Sequence, residues 1–248
     1  MTRSLPLDIA GPDGAIDATL HLPDGEGPWP GVLMLTDIRG PRPAYFDMAD
    51  RLAGHGYAVL LPNVYYREGR APVPDLDAPL ADPETMKALF ALMRTLTPDR
   101  MRADGKAEVE GLLARPEVRD GPVGVVGYCM SGQFAIYTAQ AAGPKVAAAA
   151  AYHGGFLIRD DADSPHRIAA GLSAALYFGH ADKDESIPES RLPELEATLR
   201  DAGADFASEI YEGSVHGFAV PGSPRWDEKG AERHWATMLA LFGRTLAA

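Results

Sequence analysis

The chain has 248 residues, 46% of them hydrophobic, with a formal net charge of −12 and a single cysteine. That length and apolar content suit one α/β domain with a sizeable core, and the acidic balance argues against a nucleic-acid partner or an anionic membrane surface. One cysteine permits no internal disulfide, no run approaches the roughly 20 apolar residues of a membrane span, and residues 1–8 carry no apolar core of signal-peptide length, so a soluble cytoplasmic protein is expected.

Residues 15–22 alternate as a strand does, and 23–30 are rich in Gly and Pro, as in a turn. Residues 31–36 form a continuous apolar run, the signature of a strand buried on both faces. A helix is predicted over 45–55, closed by Gly56, and a second buried strand over 57–61, ended by Pro62. Residues 67–83, dense in Pro, Asp and Gly, read as a loop or lid, and 84–113 have helical periodicity with breaks expected near Pro98 and Gly105. There follow a strand (123–127), a helix (132–142), a strand (146–152), a loop (153–171), a strand (174–178), a helix (188–202), a strand (206–211) and a closing helix (226–246). Strands alternating with helices call for a mainly parallel sheet with helices on both faces, in a single domain without repeats.

The cysteine stands in Gly127-Tyr128-Cys129-Met130-Ser131-Gly132, where an apolar strand runs through small residues into a helix. This is the pattern of a nucleophile elbow, a turn too tight for large neighbours two positions either side. The helix N-terminus favours thiolate over thiol, and the Met130 amide is placed to donate to an oxyanion. A lone cysteine ending a buried strand is ordinarily an inert small hydrophobe, so the functional reading depends on partners. Of seven histidines, His21 and His55 lie in or beside early elements, His166 in a loop without small neighbours and His234 in the closing helix. His153 and His180 follow strands, but His216, flanked by Gly213 and Gly217 past the last strand, is the preferred base because its chain order matches nucleophile, acid, base. Asp182 and Asp184 compete for the acid; Asp184 is preferred because Pro188 fixes the nearer geometry. The Ile38 amide, after the strand at 31–36, is the second candidate oxyanion donor, and Asp37 beside it stands where an aspartate ordinarily caps the following turn. Scattered histidines and one cysteine offer no zinc spacing, and the glycines form neither a dinucleotide fingerprint nor a P-loop, so no metal or cofactor is expected.

Over about residues 15–246 the chain resembles the dienelactone hydrolase family of α/β-hydrolases, through the Gly-Tyr-Cys elbow, His216-Gly217-Phe218, Asp184 to Pro188 and the stretch at residues 61–67. The resemblance implies an α/β-hydrolase fold and a Cys129–His216–Asp184 triad cleaving a small enol lactone or ester without cofactor. It also implies that Asp37, where the best-known members have a glutamate, acts on the resting thiol. Tyr65, Arg67 and Tyr152 are the candidate substrate contacts. The family's arginine four residues past the histidine is Val220 here, with Arg225, Arg39, Arg42 and Arg67 as other rim cations. Acyl transfer to another acceptor, and a non-catalytic ligand-binding or redox-sensing protein, are the alternative readings.

Overall fold

A computed structural model describes residues 2–187 and 189–246. Eight strands form one sheet: β1 (Thr2–Gly11), β2 (Gly14–Pro23), β3 (Gly31–Leu35), β4 (Ala58–Pro62), β5 (Val123–Tyr128), β6 (Val146–Tyr152), β7 (Ala175–Lys183) and β8 (Phe206–Val215). Their spatial order is β1-β2-β4-β3-β5-β6-β7-β8. The β1–β2 and β2–β4 pairs are antiparallel and all others parallel. The helices are α1 (Pro43–Gly54), α2 (Pro83–Thr95), α3 (Pro98–Leu113), α4 (Gly132–Ala142), α5 (Pro165–Ala169), α6 (Leu192–Asp201) and α7 (Glu228–Thr245). None of them is long and apolar enough to cross a membrane.

The continuous apolar runs are explained by two cores, one on each face of the sheet. Leu33, Leu35, Val125 and Phe178 face Val109 of α3, Phe134 of α4 and Leu195 of α6. Their strand neighbours Val32, Met34, Val126 and Tyr152 face Met48 and Leu52 of α1 and Trp235 and Met238 of α7. With period two along a strand, both cores need apolar residues, so no polar alternation survives. This is the layering of an α/β-hydrolase fold.

Several elements depart from expectation. β1 was not foreseen: its residues are mostly exposed and include Pro6, as suits an edge strand joined to β2 through a Pro12-Asp13 turn. The 84–113 segment breaks at Pro98 alone, where Thr97 caps α3 by accepting from the Arg100 amide. Gly105 stays helical because α3 and α4 approach there; a Cβ would lie 2.0 Å from Thr138 Oγ1. α5 arises within the expected loop. β7 and β8 run several residues further than predicted, to Lys183 and Val215. Pro188, on which the expected helix start and the preference for Asp184 leaned, lies outside the described residues.

Candidate active site

The parallel strands share a carboxyl edge, where the exits of β3, β5, β6, β7 and β8 stand side by side. Cys129 leaves β5 with φ +55, a left-handed conformation that is costly for a residue with a side chain. The turn that holds it requires its glycines. A Cβ on Gly127 would lie 1.9 Å from the Ser131 carbonyl oxygen, and one on Gly132 2.8 Å from Gly154 Cα. Ser131 is wholly buried and its hydroxyl donates to the Thr36 carbonyl, tying the elbow to the β3 exit.

His216 follows β8 directly, with its Nε2 3.0 Å from Cys129 Sγ and its Nδ1 2.8 Å from Asp184 Oδ2. Asp184 follows β7 directly, and its other oxygen accepts the amide (2.8 Å) and hydroxyl (2.5 Å) of Ser186. Asp182 is turned elsewhere: it accepts the amide of Gly213, 2.8 Å away, bracing the segment that leads to His216. Burial disfavours a charged imidazole, but hydrogen bonds to Asp184 and Cys129 and their negative charge outweigh it, and the His216 pKa is pushed up to about 10. Burial likewise works against the Asp184 carboxylate, yet the bonds from His216 and Ser186 prevail and its pKa is lowered.

Five other histidines are engaged elsewhere or held neutral, and His55 is exposed at the end of α1. His21 meets Asp50, and His166 meets Ser164. His234 points Nδ1 at the Ala231 carbonyl, so its Nε2 accepts from the hydroxyl of Tyr128, the residue before Cys129 (2.8 Å). Burial pushes His180 down to about 4 and His234 down to about 3. His153 stands at φ +38 directly after β6. Its ring stands edge-on to His216 at 5.3 Å, fully buried, and neither nitrogen has a partner among the described residues. Burial, together with His216 and His234, holds its pKa well below the ordinary value, so a neutral imidazole walls the back of His216.

Asp37 does not reach for the thiol. Arg42 grips its two oxygens at 2.6 and 2.7 Å, and the Arg39 amide donates to one of them at 3.0 Å. Tyr65 is buried, its hydroxyl donating to the Ile38 carbonyl (2.9 Å) and touching Met130 Sδ (3.4 Å). Arg67 is committed to Asp104 and Asp13. The Tyr152 hydroxyl is bonded to Thr237 of α7 (2.9 Å). These three expected substrate contacts are therefore engaged within the protein. Val220 is buried, while the stem of exposed Arg225 lies over Gly217, beside His216. Arg39 donates to the Leu76 carbonyl. Ser186 and the Tyr65 bridge were missed by sequence reasoning; an Asp-x-Ser spacing, typical of a side chain bonding backbone two residues on, was the available signal for the first. Among the described residues no group of three or more His, Cys, Asp and Glu side chains could hold a metal ion.

Residues 16–246 match the model of the dienelactone hydrolase family. A carboxymethylenebutenolidase of Rhodococcus opacus is 27% identical over 234 residues, covering 92% of this chain and 86% of that protein. Among solved structures, a candidate dienelactone hydrolase from Klebsiella pneumoniae superposes with a TM-score of 0.85 at 25% identity, over 98% of this chain and 99% of the other. A dienelactone hydrolase-like promiscuous phosphotriesterase from metagenomic libraries superposes with a TM-score of 0.80 at 22% identity, over 99% of each chain, a likeness of fold.

Proposed function

The chain belongs to the dienelactone hydrolase family, hydrolases of ester and lactone bonds, and from that premise we propose that it cleaves a small carboxylic ester or lactone through a thioester on Cys129. The observation that carries this reading is the relay from Cys129 Sγ through His216 to Asp184, with contacts of 3.0 and 2.8 Å. Because His216 keeps its proton up to about pH 10, the resting pair is an imidazolium facing a sulfur that attacks as thiolate. The new C–S bond forms as the carbonyl π pair moves onto oxygen. The Ile38 and Met130 amides, which have no acceptor among the described residues, receive that oxyanion.

Collapse of the tetrahedral intermediate expels the alkoxide or enolate, which takes the proton from His216 Nε2. In the thioester the sulfur no longer carries charge. One of the influences that raised the His216 pKa is then gone, so the imidazole is better able to act as a base toward water. Water adds to the thioester, the carboxylic acid departs, and the proton held by His216 restores the pair. Asp184 supports the imidazolium at both charged stages and fixes the tautomer with Nδ1–H toward itself.

The test is turnover of p-nitrophenyl acetate by Cys129→Ala, together with intact mass after exposure to a panel of lactones and esters. Turnover should fall by roughly 10³-fold or more, and the native protein should carry an acyl mass on Cys129. Undiminished turnover by the variant overturns the thioester reading.

A further inference from the structure

The β3 exit, Thr36-Asp37-Ile38-Arg39-Gly40-Pro41-Arg42, carries more hydrogen bonds than a surface loop needs. The Asp37 amide donates to Tyr45 Oη (3.0 Å), the Arg39 amide to Asp37 Oδ1 (3.0 Å) and the Gly40 amide to the Asp37 carbonyl (3.0 Å). The Ile38 carbonyl accepts from Tyr65 (2.9 Å). Of the four consecutive amides from Asp37 to Gly40, that of Ile38 alone has no acceptor among the described residues. Both peptide planes that flank Ile38 are thus fixed. In a trans peptide the carbonyl and N–H point opposite ways, so pinning the Asp37 carbonyl on Gly40 aims the Ile38 N–H away from the turn. The Asp37 side chain cannot rotate out of this arrangement, because the Arg42 guanidinium holds both its oxygens and itself lies over the Tyr45 ring at 4.8 Å. Tyr65 then reaches across to Met130, the residue of the other candidate donor.

Resting on the thioester reading above, we propose that Asp37 and Tyr65 are positioning residues: clamped by Arg42, Asp37 aims the Ile38 amide at the oxyanion instead of acting on the Cys129 thiol, and Tyr65 locks the same peptide from its other side. The carboxylate is consumed by three donors before it could meet a sulfur. The substrate oxygen, by contrast, needs an amide whose direction is set before the reaction begins.

Two reactions of the same sulfur separate the roles. Ester turnover builds an oxyanion and needs the Ile38 amide. Alkylation by iodoacetamide displaces iodide at a saturated carbon and needs only the sulfur. For Asp37→Ala, kcat on p-nitrophenyl acetate should fall about 10- to 100-fold, the range set by misaiming or losing one oxyanion donor. KM and the alkylation rate of Cys129 should stay within about threefold, since neither draws on that donor. Asp37→Asn, which keeps an acceptor for the Arg39 amide, should recover part of the loss. Tyr65→Phe keeps the ring and deletes only the hydroxyl, so it carries the test if Asp37→Ala does not fold; a kcat fall of about tenfold at unchanged alkylation is expected there. An alkylation rate that changes with turnover in Asp37→Ala assigns the carboxylate to the thiol and overturns the proposal, as does unchanged kcat in Tyr65→Phe. Cys129→Ala run alongside isolates the premise: persistent turnover there removes the thioester reading itself, whereas its loss leaves the Asp37 and Tyr65 outcomes to be judged alone.

Discussion

His216 and Asp184 sit where two strand ends deliver them, and their charges are worth stability as well as chemistry. A histidine whose pKa is raised by folding binds its proton more tightly in the native state than in the unfolded chain. Its contribution is complete below the unfolded value of 6.5 and is lost as pH climbs toward about 10. Deleting the imidazole should therefore hurt most at neutral and mildly acidic pH. In thermal melts the Tm gap between the native protein and His216→Gln should be several °C at pH 6, on the scale of roughly 2–4 °C per kcal/mol for a domain of this size, and should narrow steadily by pH 10. A gap that does not vary over that range would mean that the imidazole contributes by packing alone. The separation of Asp184 from Asp182 belongs to the same scale. β7 runs to Lys183, so residue 184 is the first free of the strand, whereas Asp182 is still beside β8 and takes the Gly213 amide.

At the scale of elements, the elbow concentrates what can be read from a sequence. Small residues around Cys129 announced a strand-to-helix turn, and α4 begins at Gly132 as the pattern implied. Gly127 is the strictest of these positions, because the Ser131 carbonyl occupies the place of its side chain and cannot move without dismantling the turn. Gly127→Ala should cost more than about 3 kcal/mol, within the range of severe backbone clashes. Gly54→Ala, at the exposed end of α1 where a Cβ meets nothing, should be neutral or stabilising by up to about 1 kcal/mol. Urea melts of the two variants check the contrast, and equal losses would refute the elbow's steric account. The rest was less legible for definable reasons. Gly105 looked like a helix break, since a sequence does not reveal that its bare Cα is contact surface for α4. β1 was invisible because an exposed edge strand needs no apolar run. Cys129 and His216 could be found because their local turns need special residues. The Asp37–Arg42 pair and the Tyr65 bridge obey no periodicity: they join residues across a loop and across the sheet edge, and only three-dimensional proximity brings them together.

For the whole molecule, two further terms add to the loss at His216 and make stability decline toward alkaline pH. With a net charge of −12 and a pI near 5.0, self-repulsion grows as protons leave. The second term is local. Glu108 of α3 is buried in the cavity between α3, α4 and the sheet, against Leu35, Leu96 and Phe134. Burial raises its pKa, the neighbouring Asp104 charge adds to this and Arg67 only partly opposes it, so the carboxyl titrates at about 8 instead of 4.5. Between those values the unfolded chain has lost the proton and the native state keeps it. The native state binds more protons, so stability falls as pH rises through this window and the whole penalty, on the order of a few kcal/mol, is present above pH 8. Glu108→Gln preserves the size and neutrality that the native pocket favours while removing the unfolded chain's advantage. Its Tm should match the native protein near pH 4.5 and exceed it by several °C at pH 8.5, with ester turnover unchanged because Glu108 lies behind the sheet edge and touches none of Cys129, His216 or Asp184. A Tm difference that is the same at both pH values would place the effect in packing and remove Glu108 from the alkaline decline.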